Sequence, residues 1–166
     1  MIGLPFIFSF IFILANNQIQ REARISELIL IGINTEREKK KIDRLSYSSI
    51  IDSVSNIHCS EMAKYKFFYH VHPKDKSIAT MQDRFRKFKY RYSTCGENIA
   101  KQEYSNQESS DEEVANVFLK QWVNSPPHYR NILNQEFKET AIVVYSSRNR
   151  KGDISYYAVQ NFATKQ

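Results

Sequence analysis

Near its C-terminus the chain changes period, and this limits its fold more than any other feature. Apolar residues before the change recur at helical spacing. After it, the segments TAIVVYSS and ISYYAVQNFA are dense in β-branched and aromatic residues, the composition of strands. Between them SRNRKGD carries a Gly152–Asp153 turn signal, so the two segments read as an antiparallel hairpin. Helices first and strands last predict an α+β domain. A chain of 166 residues is the length of one domain.

Four helical patterns precede the hairpin. Over residues 22–40, Ile25, Leu28, Ile29, Ile33 and Arg37 share a face, with Gly32 a weak point. KKKIDRLSYSS follows as a loop. Residues 48–66 place Ile51, Val54, His58 and Met62 on one side. FFYHVHP ends that helix, because the residue before Pro73 favours an extended backbone. Residues 79–92 put Met81, Phe85, Phe88 and Tyr92 on one face, with Arg84, Arg86, Lys87, Lys89 and Arg91 forming a solvated basic face. Aromatics at core spacing point inward, so no nucleic-acid partner is expected from this basic stretch. KQEYSNQESSD reads as a loop, and Ser110 or Asp111 caps a fourth helix over DEEVANVFLKQW. The adjacent Pro126 and Pro127 then turn the chain into a short helix. Pro127 suits its first turn, whereas Pro126, itself preceding a proline, is pushed out of helical geometry.

Residues 1–15, MIGLPFIFSFIFILA, carry no charged side chain. That apolar run has the length of a signal-peptide core and is short of the roughly 20 residues of a membrane span. A cleaved signal peptide over residues 1–15 is expected, with the folded domain over 22–166. The protein is then secreted or extracellular, or periplasmic or membrane-anchored if the signal stays. The net charge of +6 favours an anionic surface, such as a lipid or envelope component, as partner. Export would also let Cys59 and Cys95 form a disulfide contributing about 3–4 kcal/mol; the alternative is two buried thiols.

Few residues bear chemistry. His58 lies on an apolar helix face and reads as a packed core residue. His70 and His72 are two apart and would point the same way in an extended segment, a pair of ligands but not a complete metal site. Gly96 precedes Glu97 and permits a turn that aims the carboxylate. His128 follows the double proline near a helix N-terminus, where the dipole disfavours imidazolium. Ser125, three residues before His128, lacks the surroundings of a hydrolase nucleophile and suits a helix N-cap.

These residues carry a resemblance. GENIA, followed some thirty residues later by WVNSPPHYRNIL, resembles the CAP superfamily, also called the SCP domain, of cysteine-rich secretory proteins, antigen 5 and pathogenesis-related proteins. The compact microbial single-domain form is the nearest type. LILIGINTER is similar to the family's first helix, with Asn34 and Arg37 in place. SVSNIHCSEMA is similar to the second, with His58 and Met62. FYHVHP resembles the segment bearing the first cavity histidine, His70, and SYYAVQNFA the last strand. The likeness covers residues 25–163.

The resemblance implies an α–β–α sandwich, a small antiparallel sheet flanked by helices. It also implies a cavity where His70, Glu97 and His128 meet, as a Zn²⁺ site with an open position, as an acid–base catalytic set, or as a buried polar network. A second glutamate of many relatives is Ser125 here, and Pro127, Ala141 and Gln135 also depart from the family pattern. His72, in place of a common serine, would support the site beside Ser125. The implied function is that of a monomeric, secreted, non-enzymatic domain binding a lipid, envelope component or protein. The alternative is a metal-dependent or acid–base hydrolase using His70, Glu97 and His128.

Overall fold

The computed structural model describes residues 4–105 and 109–166, with the backbone alone for residues 4–15. Five helices occur among them: α1 (Leu4–Lys39), α2 (Ser49–Tyr65), α3 (Met81–Lys87), α4 (Asp111–Val123) and α5 (Pro126–Leu133). Four strands, β1 (Ser46–Tyr47), β2 (Tyr92–Tyr104), β3 (Glu139–Arg148) and β4 (Ile154–Lys165), form one sheet in the order β1-β3-β4-β2. The sheet is mixed rather than purely antiparallel, because the two residues of β1 pair parallel with β3. β1 lies in the segment read as a loop.

Strand alternation divides the core into two layers. Ala100, Ile142, Val144, Tyr156, Ala158 and Phe162 meet α1, α4 and α5. Ile99, Val143, Tyr157 and Val159 meet α2, and Ala141 and Ala163 meet α2 and Phe85 of α3. Central β4, covered on both faces, is buried along nearly its whole length, polar Gln160 and Asn161 included. The result is the α–β–α sandwich. The periodic faces drive it: Ile25, Ile29 and Ile33 of α1, and Ile51, Val54, His58 and Met62 of α2, are all buried.

Two polar residues of α1 lock distant chain segments. The Asn34 side chain exchanges two hydrogen bonds with the backbone of Leu45, at 3.1 and 2.8 Å. Fully buried Arg37 donates to the carbonyls of Ile132, Asn134, Phe137 and Asp43. These carbonyls include those at the end of α5, which the helix itself leaves without partners.

The third helix is shorter than expected. Thr80 and Asp83 form a capping box, and Lys89 takes a left-handed φ of 54°, ending the helix. Tyr92 then opens β2, so the stretch from Tyr92 to Tyr104, read as helix, turn and loop, is a long strand of the sheet beside the two of the hairpin. Residues 106–108 of that expected loop lie outside the described residues. Arg84 is buried, while Arg86, Lys87, Lys89 and Arg91 are exposed. Both Pro126 and Pro127 lie in the first turn of α5, correcting the expectation for Pro126. First-turn N–H groups have no intrahelical acceptor, so neither proline removes a bond.

Gly96 sits in a strand, not a turn. Its role is spatial: a Cβ there would stand 2.8 Å from Cζ of Phe137, whose ring stacks on Phe162 at 5.1 Å. Gly96→Ala is expected to cost about 1–3 kcal/mol, measured as a lower urea midpoint. Combining it with Phe137→Leu should recover part of the loss, and an Ala variant as stable as the parent would refute the close approach.

The cysteines are free. The Cys59 thiol is buried 3.3 and 3.2 Å from the carbonyls of Val143 and Tyr157, whereas Cys95 pairs in register with Ala163. Val143 pairs with Val159, so four to six strand residues, roughly 13–20 Å, separate the two sites. A disulfide needs Cα atoms within about 7 Å, so the expected bridge does not form.

Among the described residues no helix is long and apolar enough to cross a membrane. The expected signal peptide falls on residues 1–15. Residues 1–3 and the side chains of 4–15 lie outside the description, and the backbone from Leu4 is helical and continuous with α1.

Candidate functional site

The site forms where β2, α5 and the loop after α2 converge. Glu97 points from β2 toward the α2 layer, with its side chain only 4% exposed. Its Oε1 accepts from Nδ1 of His70 at 3.0 Å, and its Oε2 accepts from Nη2 of Arg84 at 2.5 Å. Burial pushes the Glu97 carboxyl up, but the His70 hydrogen bond and the Arg84 charge outweigh it, and its pKa ends below the ordinary value. Glu97 is therefore a fixed anion, unsuited to donate a proton near neutral pH.

Arg84 is the residue that sequence reasoning misplaced. Besides Glu97, its guanidinium reaches the carbonyls of Ile78 and Ala79 at 3.2 and 3.3 Å. It ties α3 and the 3-10 turn at Lys76–Ile78 to the sheet. With no exposure at all, it supplies the charge that makes a buried carboxylate tolerable.

His70 stands at the rim, its side chain 54% exposed. Donating through Nδ1–H to Glu97 leaves Nε2 facing outward. His58 lies beneath, fully buried in α2, and donates from Nε2 to the carbonyl of Tyr69 at 2.9 Å. Burial dominates its titration and pulls its pKa down to about 4. It is a neutral strut for the loop carrying His70, the packed core residue expected from its place on the helix.

His128 enters from the first turn of α5. Asn98 sets its position: its Nδ2 donates to the His128 carbonyl at 3.2 Å, and its Oδ1 accepts from Asn131 at 2.9 Å. Asn131 also donates to the carbonyl of Glu97. Burial, followed by the charge of His70, lowers the His128 pKa. Its Nδ1 is buried, and among the described residues it has no partner. The imidazole makes no hydrogen bond to Glu97, so the acid and the two histidines do not close into one bonded set. Ser125 holds the N-cap position of α5, but its side chain makes no capping bond.

His72 diverges from His70. Bends at residues 70 and 71 replace the expected extended backbone and turn it inward. Nδ1 accepts from the N–H groups of Lys74 and Asp75, and Nε2 donates to Glu61 at 3.2 Å. One ring nitrogen holds the exposed turn at Lys74 and Asp75 and the other holds Glu61 of α2, so His72 faces away from Glu97 and does not support the site as expected.

The donor set does not fit zinc. Both Glu97 oxygens are engaged, one by a buried guanidinium whose charge would repel a dication. That leaves His70 and His128, and two ligands fall short of a zinc site. Among the described residues no group of three or more His, Cys, Asp or Glu side chains is placed to hold a metal ion.

Comparison with known proteins agrees with the fold. The model of the cysteine-rich secretory protein family, CAP, matches residues 30–162. The chain is 29% identical over 109 residues to the uncharacterized protein YkwD of Bacillus subtilis, covering 66% of this chain and 38% of that one. An extracellular protein containing an SCP domain from Bacillus anthracis superposes with a TM-score of 0.68 and 26% identity, over 87% of this chain and 41% of its own. An outer surface protein from Borrelia burgdorferi shares the fold at a TM-score of 0.64 and 15% identity, over 86% and 93% of the two chains. The chain thus spans well under half the length of the two Bacillus proteins. The family pattern runs through the helices, the sheet and the site alike, and the chain belongs to the cysteine-rich secretory protein family.

Proposed function

We propose that the protein is a non-enzymatic binding domain acting outside the cytoplasm, and that it docks on an anionic lipid or envelope surface through the loop beside His70. One observation carries this reading. Tyr65, Phe68, Tyr69 and Val71 are all exposed within seven residues, flanked by exposed Lys64, Lys66 and Lys74. A cluster of large apolar groups held in water marks an interaction site. Aromatic rings interleaved with lysines match the boundary between headgroups and acyl chains. The extracellular and outer-surface descriptions of the structural relatives support the location. The exposed Arg86, Lys87, Lys89 and Arg91 add positive charge.

Co-sedimentation with phosphatidylglycerol vesicles tests the proposal. Phe68→Ser/Tyr69→Ser is expected to weaken binding roughly tenfold or more through lost apolar burial. Charge reversal at Arg86, Lys87 and Lys89 should weaken it less and chiefly at low salt. Binding unchanged by both sets of substitutions would overturn the reading.

The His70–Glu97 pair favours a second reading. A carboxylate that orients an imidazole and leaves Nε2 free resembles a general-base pair. Among the described residues, however, His70 hydrogen-bonds to no serine, threonine or cysteine. A hydrolase would lose turnover in His70→Ala while keeping vesicle binding.

A further inference from the structure

A second concave surface lies away from His70, along the free edge of the sheet. β1 covers β3 only at Glu139 and Thr140. Beyond Thr140 the edge borders a groove of about 650 Å³ between α1 and the first half of α2. Its floor is apolar, with Ile142, Val144, Ala23 and Leu30 among the lining residues. Among the described residues, Glu22, Glu27 and Asp52 line its polar walls and no lysine, arginine or histidine does; Glu27 is already paired with Arg24 at 2.8 Å, which leaves Glu22 and Asp52 for a ligand. In a chain of net charge +6 an acidic lining runs against the average surface.

The backbone of β3 is legible from its bonds. Ser48 donates to the Thr140 carbonyl. The N–H of Val144 donates to Ser26 Oγ at 3.1 Å, and that of Ser146 to Glu22 Oε1 at 2.8 Å. Even-numbered residues therefore point their polar backbone groups away from β4. Two edge donors are blunted by side chains of α1, a common way to protect an edge. Between the blunted positions and β1, the N–H and C=O of Ile142 have no partner among the described residues. One residue of an added strand could pair there.

The charges are placed for a cation. Burial raises the Asp52 pKa, against a hydrogen bond from Tyr47 that lowers it, so its anionic form is under-solvated and gains from a positive partner. Tyr47 and Tyr145 line the same groove, and aromatic faces beside a carboxylate suit an ammonium or guanidinium group.

We propose that this groove receives an extended segment of a partner protein carrying a lysine or arginine between apolar residues. The segment would pair with Ile142 as a short added strand. Its apolar side chains would cover the floor, and its cation would reach Asp52 and Glu22. The proposal is independent of the vesicle-binding loop.

The test uses the full chain and fluorescein-labelled Val-Lys-Val-Lys-Val, Val-Glu-Val-Glu-Val and a lysine peptide N-methylated on its backbone, read by anisotropy. The lysine peptide is expected to bind at least roughly tenfold tighter than the glutamate peptide. Its affinity should fall about tenfold in Asp52→Asn/Glu22→Gln, whose amide oxygen at 22 can still accept from Ser146 and whose fold is checked by circular dichroism, and N-methylation should abolish binding. Phe68→Ser/Tyr69→Ser should leave it unchanged. Equal affinity for both peptides, or none, overturns the proposal. An N-methylated peptide that binds normally, displaced by dodecyltrimethylammonium below its micellar concentration, assigns the groove to cationic amphiphiles and also overturns it. So does a concentration-dependent oligomer lost in Asp52→Asn, which would seat a second copy there.

Discussion

Arg84→Ala is expected to destabilise the protein by about 3–5 kcal/mol, the range for breaking a buried ion pair by removing one partner. The cost comes less from the lost attraction than from what stays behind. Glu97 is almost wholly buried, and without Arg84 it keeps only His70, at the exposed rim, as a charge-stabilising side-chain partner. The carbonyl of Ile78 loses its Arg84 donor in the same step, and that of Ala79 is left with the N–H of His72. The double variant Arg84→Met/Glu97→Gln removes both charges and fills most of the volume, so it should be markedly more stable than Arg84→Ala. Urea midpoints of the parent, Arg84→Ala and the double variant measure this. A single variant no worse than the double would mean that Glu97 takes up a proton or water cheaply, and that the pair does not hold the site.

The second large effect is acid lability. The pKa of His58 falls to about 4 in the folded protein from 6.5, with burial as the first cause. A group whose folded pKa is depressed in this way binds its proton more readily in the unfolded chain. Stability therefore declines as pH falls from about 6.5 toward 4, by about 3 kcal/mol across the window. His128 shifts in the same direction. Glu97, held below the ordinary carboxylate range, contributes stability that is lost only as pH falls further, through its folded pKa. Unfolding measured from pH 8 to 5 should show stability level down to about pH 6.5 and falling below it, with the fall flatter in His58→Phe, even though that variant loses the bond to Tyr69 and starts less stable. A parent curve level down to pH 5 would contradict the buried neutral state.

The residues that carry these effects were unequally legible. His58 was readable as core because Ile51, Val54 and Met62 share its face at helical spacing. The signal for Arg84 was also present: it stands three residues after Met81 and four before Phe88, within the apolar stripe. A charged side chain on an apolar face was assigned to solvent by its type, when its period argued for burial with a partner. β2 was missed because Phe85, Phe88 and Tyr92 prolong a helical spacing, whereas Tyr90 and Tyr92 already alternate as a strand does. The inward turn of His72 depends on bends at residues 70 and 71, which no periodicity announces. Glu97 and His128 stand out by the glycine and the double proline before them, and the family pattern implies their meeting, but spacing could not show that a guanidinium claims one carboxylate oxygen. Cys59 packs from α2 onto one stretch of the sheet and Cys95 stands on a rung several residues away, a separation that only strand register reveals.

Strand order has a consequence for how the chain is made. The last strand, β4, occupies the middle of the sheet, bonded to β3 on one side and β2 on the other. A chain emerging from the ribosome can form its helices, but neither long pairing can close until the residues after Asp153 arrive. Such late, non-local closure slows folding and keeps this domain open until β4 has emerged. A product truncated before Ile154 would keep only the two-residue β1–β3 pairing and expose the apolar faces of both layers, making it a substrate for proteases and chaperones.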